Sequence, residues 1–349
     1  MKNPGLHLAY LGLAGSMLSS MLFSCGSNSK NEGVPTDILN IDVNNTKPLS
    51  DIFKDRHYIP IAESDTFPGL INAGALVNDT IYILDPNKAP GVYVYTLNGK
   101  YIRKFPNIGS GPGEMGMITD MVVDKAHVHL YDFMRFSVET YSHDGKWIKS
   151  TPIPPGTASF MTDDKGIWCD FANQAYNSNN KLIHQSFDND SISVIHKIPE
   201  HLTNVTLVSG VNFQRSNDNI LYMPNFEPQI FYVTDSTKSL AYTLDFNGLW
   251  PDNSFFEHLR DMDSNERNHL LLEKDLPINK LVFHANDNWL IVSFNNNGSK
   301  YACVMNLKTG EQHTYDDENK DFGSILFLND NKVYTVEGDD QLGVYTIEM

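Results

Sequence analysis

The chain has 349 residues, with 43 acidic against 26 basic side chains and a formal net charge of −17. That excess of carboxylates repels phosphate backbones and argues against a nucleic-acid partner. Hydrophobic residues at 41% and aromatic residues at 11% exclude a disordered chain, and three cysteines exclude a disulfide framework.

Leu6 to Phe23 is an apolar run preceded by Lys2. It is short and broken by Gly12, Gly15, Ser16, Ser19 and Ser20, so residues 1–24 read as a removable secretory signal rather than a membrane span. The run ends in Leu22-Phe23-Ser24-Cys25. An apolar residue three before the cysteine and a small one just before it resemble a bacterial lipoprotein lipobox, which implies that Cys25 becomes a lipidated N-terminus. An ordinary signal with an incidental cysteine is the plainer alternative. Acyl chains, at ~0.8 kcal/mol per buried CH₂, would hold such a protein on a membrane. Residues 25–54 open with Gly, Ser, Asn, Lys and Pro and read as a flexible tether. The expected address is the bacterial envelope, lipid-anchored at the outer membrane, on its periplasmic or its surface side.

The body, residues 55–349, repeats. Val92–Leu97 leads through Asn98-Gly99-Lys100 into Tyr101–Phe105, and Val138–Ser142 leads through Asp144-Gly145-Lys146 into Trp147–Lys149. Asn-Gly and Asp-Gly between alternating apolar residues mark tight hairpins, because both turn positions need positive φ. Weaker copies lie at Asp188-Asn189-Asp190, Asp235-Ser236-Thr237 and Lys308-Thr309-Gly310. The turns fall 46, 44 and 47 residues apart, then 74. Two more strands precede each hairpin, as in Thr80–Asp85 and His127–Asp132. Four strands per ~45-residue unit predict the blades of an all-β propeller.

The long interval holds the one helical insert, about residues 251–276, between blades four and five. Ser254 is its expected cap, with Glu257 completing a capping box. The last strands make three-quarters of a blade, and the N-terminal strand at His57–Ile61 supplies the fourth. The count closes at six blades.

At this point the sequence resembles a family. Leu49–Phe53, Tyr58–Ile61, Ile81–Asp85, Gly109-Ser110-Gly111-Pro112-Gly113-Glu114, Tyr242–Phe246 and Pro251 occur in that order, similar to six-bladed β-propeller lipoproteins of Bacteroidetes and, more loosely, to NHL-repeat and TolB-like propellers. The family often has Arg in the slot of Ser110, which weakens an anion-binding role for this loop. The resemblance implies a fold and a compartment, and no activity.

Blade geometry puts the loops that join blades, and those that join each second strand to the third, on the face of the channel mouth. Glycine-rich 109–114 lies there, either as a ligand nest of backbone amides with one carboxylate or as a tight inter-blade turn. The expected ligand-binding residues are Gly111, Gly113, Glu114, Asp132, Arg135, Asn225, Glu227 and Asn295. Asn296, Asn297, Asp339 and Asp340 share that face. Converging oxygens there could hold Ca²⁺, and Phe133, Phe136 and Phe226 could stack on sugar or peptide. Solvated loop tips and packing between blades are the structural alternatives. No cofactor is otherwise expected. His127 and His129 share one strand face but lack a third metal ligand at a suggestive spacing. Cys169 and Cys303 read as buried apolar residues, and no nucleophile or zinc motif is present.

The expected function is a non-catalytic, lipid-anchored module binding a glycan, peptide or envelope protein through the mouth face. A metal-dependent (Ca or Zn) lactonase-like hydrolase or lyase and an envelope scaffold are the alternatives. The insert, about residues 253–274, is the expected partial lid.

Overall fold

The computed structural model describes residues 38–61, 68–175, 179–206, 211–216, 218–274, 276–317, 322–338 and 341–349. The expected signal at residues 1–24, Cys25, Asp339 and Asp340 lie outside the described residues.

Six antiparallel sheets make a six-bladed propeller. Blade 1 spans residues 73–105, blade 2 118–152, blade 3 159–197, blade 4 213–245 and blade 5 282–316. Blade 6 combines residues 324–347 with an N-terminal strand. Strands are lettered a to d in the order of each sheet, and the a strands of blades 1, 2 and 3 and those of blades 4, 5, 6 and 1 contact their neighbours in turn. Burial follows from this arrangement. Strands b and c are covered on both faces by adjacent blades, so Thr80–Asp85, Gly91–Thr96 and Gly166–Asp170 are nearly all buried. The d strand Trp147–Pro152 is largely exposed. The expected hairpins join c to d, with Gly99, Gly145 and Gly310 at φ of 80°, 83° and 75°.

Phe53–Pro60 pairs antiparallel with Gln341–Ile347, placing Ile59 opposite Leu342. It is strand d of blade 6 and closes the ring as the sequence predicts. The stretch before it is not a tether. Ile38–Asn40 runs parallel to Lys238–Asp245 as a fifth strand of blade 4, and Thr46–Pro48 runs parallel to Gln312–Asp316 as a fifth strand of blade 5. Leu39, Ile41, Leu49 and Ile52 are all buried. The expectation of a tether to residue 54 therefore fails from residue 38. Asp42, Asn44, Asn45 and Lys47 dilute the composition, but the four aliphatic residues that flank them are enough to fasten the segment. Blades 4 and 5 thereby gain covered outer edges.

Two helices, α1 (Asn253–Asp261) and α2 (Ser264–Glu273), form the insert between blades 4 and 5. The cap is Asp252, whose side chain accepts from Phe255 N at 3.2 Å. Ser254 sits in the first turn and donates to Asp252 Oδ1 at 2.6 Å. Asp252 takes the cap because it is still extended (φ −78°, ψ 173°). Phe256, Leu259 and Leu271 pack on Ile198, Leu202 and Val205 of the loop between blades 3 and 4 and on Phe226. Buried Arg267 donates to Leu259 O at 2.8 Å and also bonds Asn204 O. The insert is thus fastened down on the mouth face by an apolar stripe and a buried guanidinium.

Candidate functional site

The mouth face rests on carboxylates at or near the ends of b strands. Asp85 accepts from Gly69 N (2.7 Å), Leu70 N (3.0 Å), Asn87 N (2.9 Å), Lys88 N (3.0 Å) and Ala89 N (3.0 Å). Burial pushes its carboxyl up, and the backbone amides more than reverse this, so its pKa falls below the ordinary value. Asp132 repeats the pattern in blade 2, accepting from Gly116 N (2.7 Å), Met117 N (3.2 Å) and Met134 N (3.1 Å). In blade 6, Glu337 accepts from Gly323 N (3.2 Å), Thr335 Oγ1 (2.7 Å) and Tyr345 OH (2.8 Å). Each carboxylate ties the loop entering a blade to the end of strand b.

Five of the eight expected residues come together around blades 1 and 2. Glu114 Oε2 accepts from Gly111 N at 2.9 Å. Arg135 donates to Gly109 O at 3.0 Å, also bonds Glu114 O, and lies 3.5 Å from Asp132. Gly113 has φ +74°, and a Cβ there would lie 2.8 Å from Trp147 Cβ, so the loop needs glycine at this position. The 109–114 loop is held by its own amides, Glu114, Arg135 and Asp132.

Ile108, Met117, Phe133 and Met134 stand on this scaffold with 47, 40, 42 and 66% of their surface exposed. They are neighbours through the backbone. Phe133 N donates to Met117 O at 2.9 Å, Gly116 lies against Met134, and Ile108 bridges Met115. Phe133 also meets Phe136 edge-on at 6.0 Å. Most of the other large exposed apolar residues are spread over the outer strands of separate blades, such as Ile102, Trp147, Ile192 and Leu240, while Leu70 stands on the loop entering blade 1 and Leu97 in a c-to-d turn.

Asn225 and Glu227 fall elsewhere, between blades 3 and 4. Fully buried Lys181 donates to Glu227 Oε1 at 2.6 Å and to Asn225 O at 2.8 Å. His196 Nε2 lies 3.0 and 3.1 Å from the two Glu227 oxygens, and Lys238 reaches the far side of that ring. Burial, reinforced by the charge of Lys181, pulls the Lys238 pKa down to about 8. Beside this network Asp170 accepts from Asn212 (2.6 Å) and Tyr222 (2.7 Å). Burial raises the Asp170 carboxyl despite those bonds. Asn295 is separate again, paired with Lys300 across a blade 5 hairpin.

Residues 26–337 match the family DUF5128, described as a 6-bladed beta-propeller. The chain belongs to this family. No curated protein matches the sequence. A protein of Bacteroides fragilis described as exported has the same fold, with TM-score 0.76 at 14% identity over 89% of this chain and 100% of its own. A DUF4221 family member from Bacteroides vulgatus gives 0.56 at 9% identity over 85% and 97%. A gluconolactonase from Xanthomonas campestris gives 0.50 at 10% identity over 87% and 94%. At these identities the likeness is one of fold.

Within this six-bladed family member, the described His, Cys, Asp and Glu residues close enough to share a metal ion are Asp124, His127 and His129, a group absent from the mouth. A cavity of about 140 Å³ lined by Asp79, Asp330 and Lys332 also lies opposite the mouth, where the a-to-b turns are. Cys169 and Cys303 are buried and unpaired, and burial pushes both thiols up to about 12.

Lys181, His196, Lys238 and Asp120 carry no motif or spacing signal in the sequence. Asp120 accepts from Met121 N at 2.8 Å and from Phe160 N of blade 3 at 3.3 Å. Burial between the blades raises its carboxyl to about 7, against the pull of those amides. Folded Asp120 therefore keeps its proton from pH ~4 to ~7 while the unfolded chain loses it. Stability falls as pH rises through that window and levels off above it, by on the order of 4 kcal/mol at most. Urea unfolding at pH 4.5 and 7.5 is expected to show a smaller loss in Asp120→Asn than in the parent. Equal losses would contradict the burial of this carboxyl.

Proposed function

We propose that this propeller is a lipid-anchored envelope protein that binds a protein partner, without catalysis, through the mouth face of blades 1 and 2. The observation that carries the reading is the joint exposure of Ile108, Met117, Phe133 and Met134 on one rigid loop scaffold. Exposed apolar groups set among polar ones favour contact with another apolar surface. Methionine and phenylalanine are enriched at protein interfaces, and methionine adapts to irregular partners. The polar groups beneath hold the platform in place. Asp132 accepts three backbone amides, Arg135 donates to two loop carbonyls, and Glu114 accepts from Gly111. This reading gives them a supporting role, in place of ligand contact or Ca²⁺ ligation, and assigns no catalytic residue.

The anchor is the Cys25 lipid, reached through the residues that precede Ile38. The exported description of the Bacteroides fragilis protein of the same fold agrees with an envelope address. No helix of the described residues is long and apolar enough to cross a membrane.

The test is a photo-crosslinking side chain at Met134 in intact cells. A discrete protein adduct is expected, and Phe133→Asp is expected to reduce it tenfold or more, since a central aromatic contact is worth about 2 kcal/mol or more.

A further inference from the structure

We infer that Asp124, His127 and His129 form a site for a divalent transition-metal ion of the zinc class, on the face opposite the mouth and independent of the binding platform. Asp124 lies in the tight turn between strands Ile118–Val123 and His127–Asp132 of blade 2, and His127 and His129 are the first and third residues of the second strand. That turn joins strand a to strand b, which fixes its face.

The geometry is set by the local chain. Asp124 Oδ1 accepts from Ala126 N at 2.7 Å and from His127 N at 2.8 Å, closing the turn and fixing the carboxylate plane. Oδ2 is then left 3.0 Å from His129 Nε2. Strand alternation puts His127 and His129 on one side of the sheet, with ring centroids 5.8 Å apart. One ligand atom from each of the three residues falls within 4.8 Å of the others.

The second nitrogen of the buried ring points to the same chemistry. His129 Nδ1 lies 3.2 Å from Thr140 Oγ1, directly across the strand pair. In the tautomer that carries its proton on Nδ1, Thr140 Oγ1 accepts that hydrogen bond and Nε2 is free to ligate an ion in place of its contact with Asp124. Metal-ligating imidazoles are commonly oriented by such an outer hydrogen bond. The His127 ring makes no hydrogen bond among the described residues and is half-buried, so it can turn onto an ion and leave a fourth position open to water. Two imidazoles and one carboxylate suit Zn²⁺, Co²⁺ or Ni²⁺ and are a poor match for Ca²⁺, which takes six to eight oxygens. The acidic chain as a whole raises the local concentration of any cation.

The test is titration of the chelator-stripped full chain with Zn²⁺ by calorimetry and with Co²⁺ by visible absorption. One equivalent per chain is expected, with Zn²⁺ displacing Co²⁺ and a Co²⁺ spectrum of low coordination number. His127→Ala and Asp124→Asn are each expected to weaken binding at least tenfold, and His57→Ala on blade 6 to leave it unchanged. Thermal unfolding without metal confirms that the variants are folded, and Asn retains the acceptor that closes the turn. Absence of saturable Zn²⁺ binding, undiminished binding in folded His127→Ala, or equal affinity for Ca²⁺ would each overturn the site.

Discussion

Leu39→Ala and Ile41→Ala are each expected to lower the unfolding free energy by about 2–5 kcal/mol, measured by urea denaturation. Both side chains are fully buried in the core shared by blades 4 and 5, packed with Leu244, Phe246 and Phe294. Truncation leaves a cavity at a place the strand pairing prevents from collapsing. Leu39 is opposite Leu244 in a parallel pair, and Ile41 N donates to Asp245 O at 2.7 Å. Asp42 N also bonds Thr314 Oγ1 of blade 5 at 3.1 Å. The segment therefore runs from blade 4 to blade 5 before it becomes strand d of blade 6. A cost below about 0.5 kcal/mol, as for a solvated tether, would contradict this fastening.

Lys181→Ala is expected to cost about 3–5 kcal/mol, because it removes one partner from a buried ion pair. Glu227 would keep His196 and lose its ammonium partner, and the Asn225 carbonyl would lose a donor. The pair itself need not be strongly stabilising. Lys181→Met combined with Glu227→Gln should be closer to the parent than the sum of the two single changes. A double-mutant cycle in urea measures this, with a coupling energy above about 1 kcal/mol expected. Strict additivity would show that the two side chains do not meet in solution.

How much of this was legible depended on the range of each interaction. The Asn98-Gly99 and Asp144-Gly145 hairpins were readable because turn chemistry is local, and their spacing supplied the blade count and the closing strand. The two fifth strands were not readable. Each has three residues, no alternation, and a parallel partner more than 200 positions away. The position of the 109–114 loop on the mouth was legible from blade order. Its self-saturation was not, because it depends on Arg135 folding back onto the Gly109 and Glu114 carbonyls. Lys181 carries no signal at all, since a lysine near the start of a strand ordinarily reads as solvent-facing. Asp124 was hidden differently. Its spacing from His127 and His129 crosses a turn, so only the closed turn brings the carboxylate beside the rings.

The platform itself emerged from exposure rather than polarity. The sequence directed attention to glycines, carboxylates and Arg135, and these support Ile108, Met117, Phe133 and Met134. Crosslinking from Met134 in intact cells, with a second probe at Thr309 on the opposite face as reference, tests this most directly. A protein adduct is expected from Met134, which Phe133→Asp reduces tenfold or more and which Thr309 does not form. Equal capture from both faces, or an adduct indifferent to Phe133→Asp, would contradict this expectation.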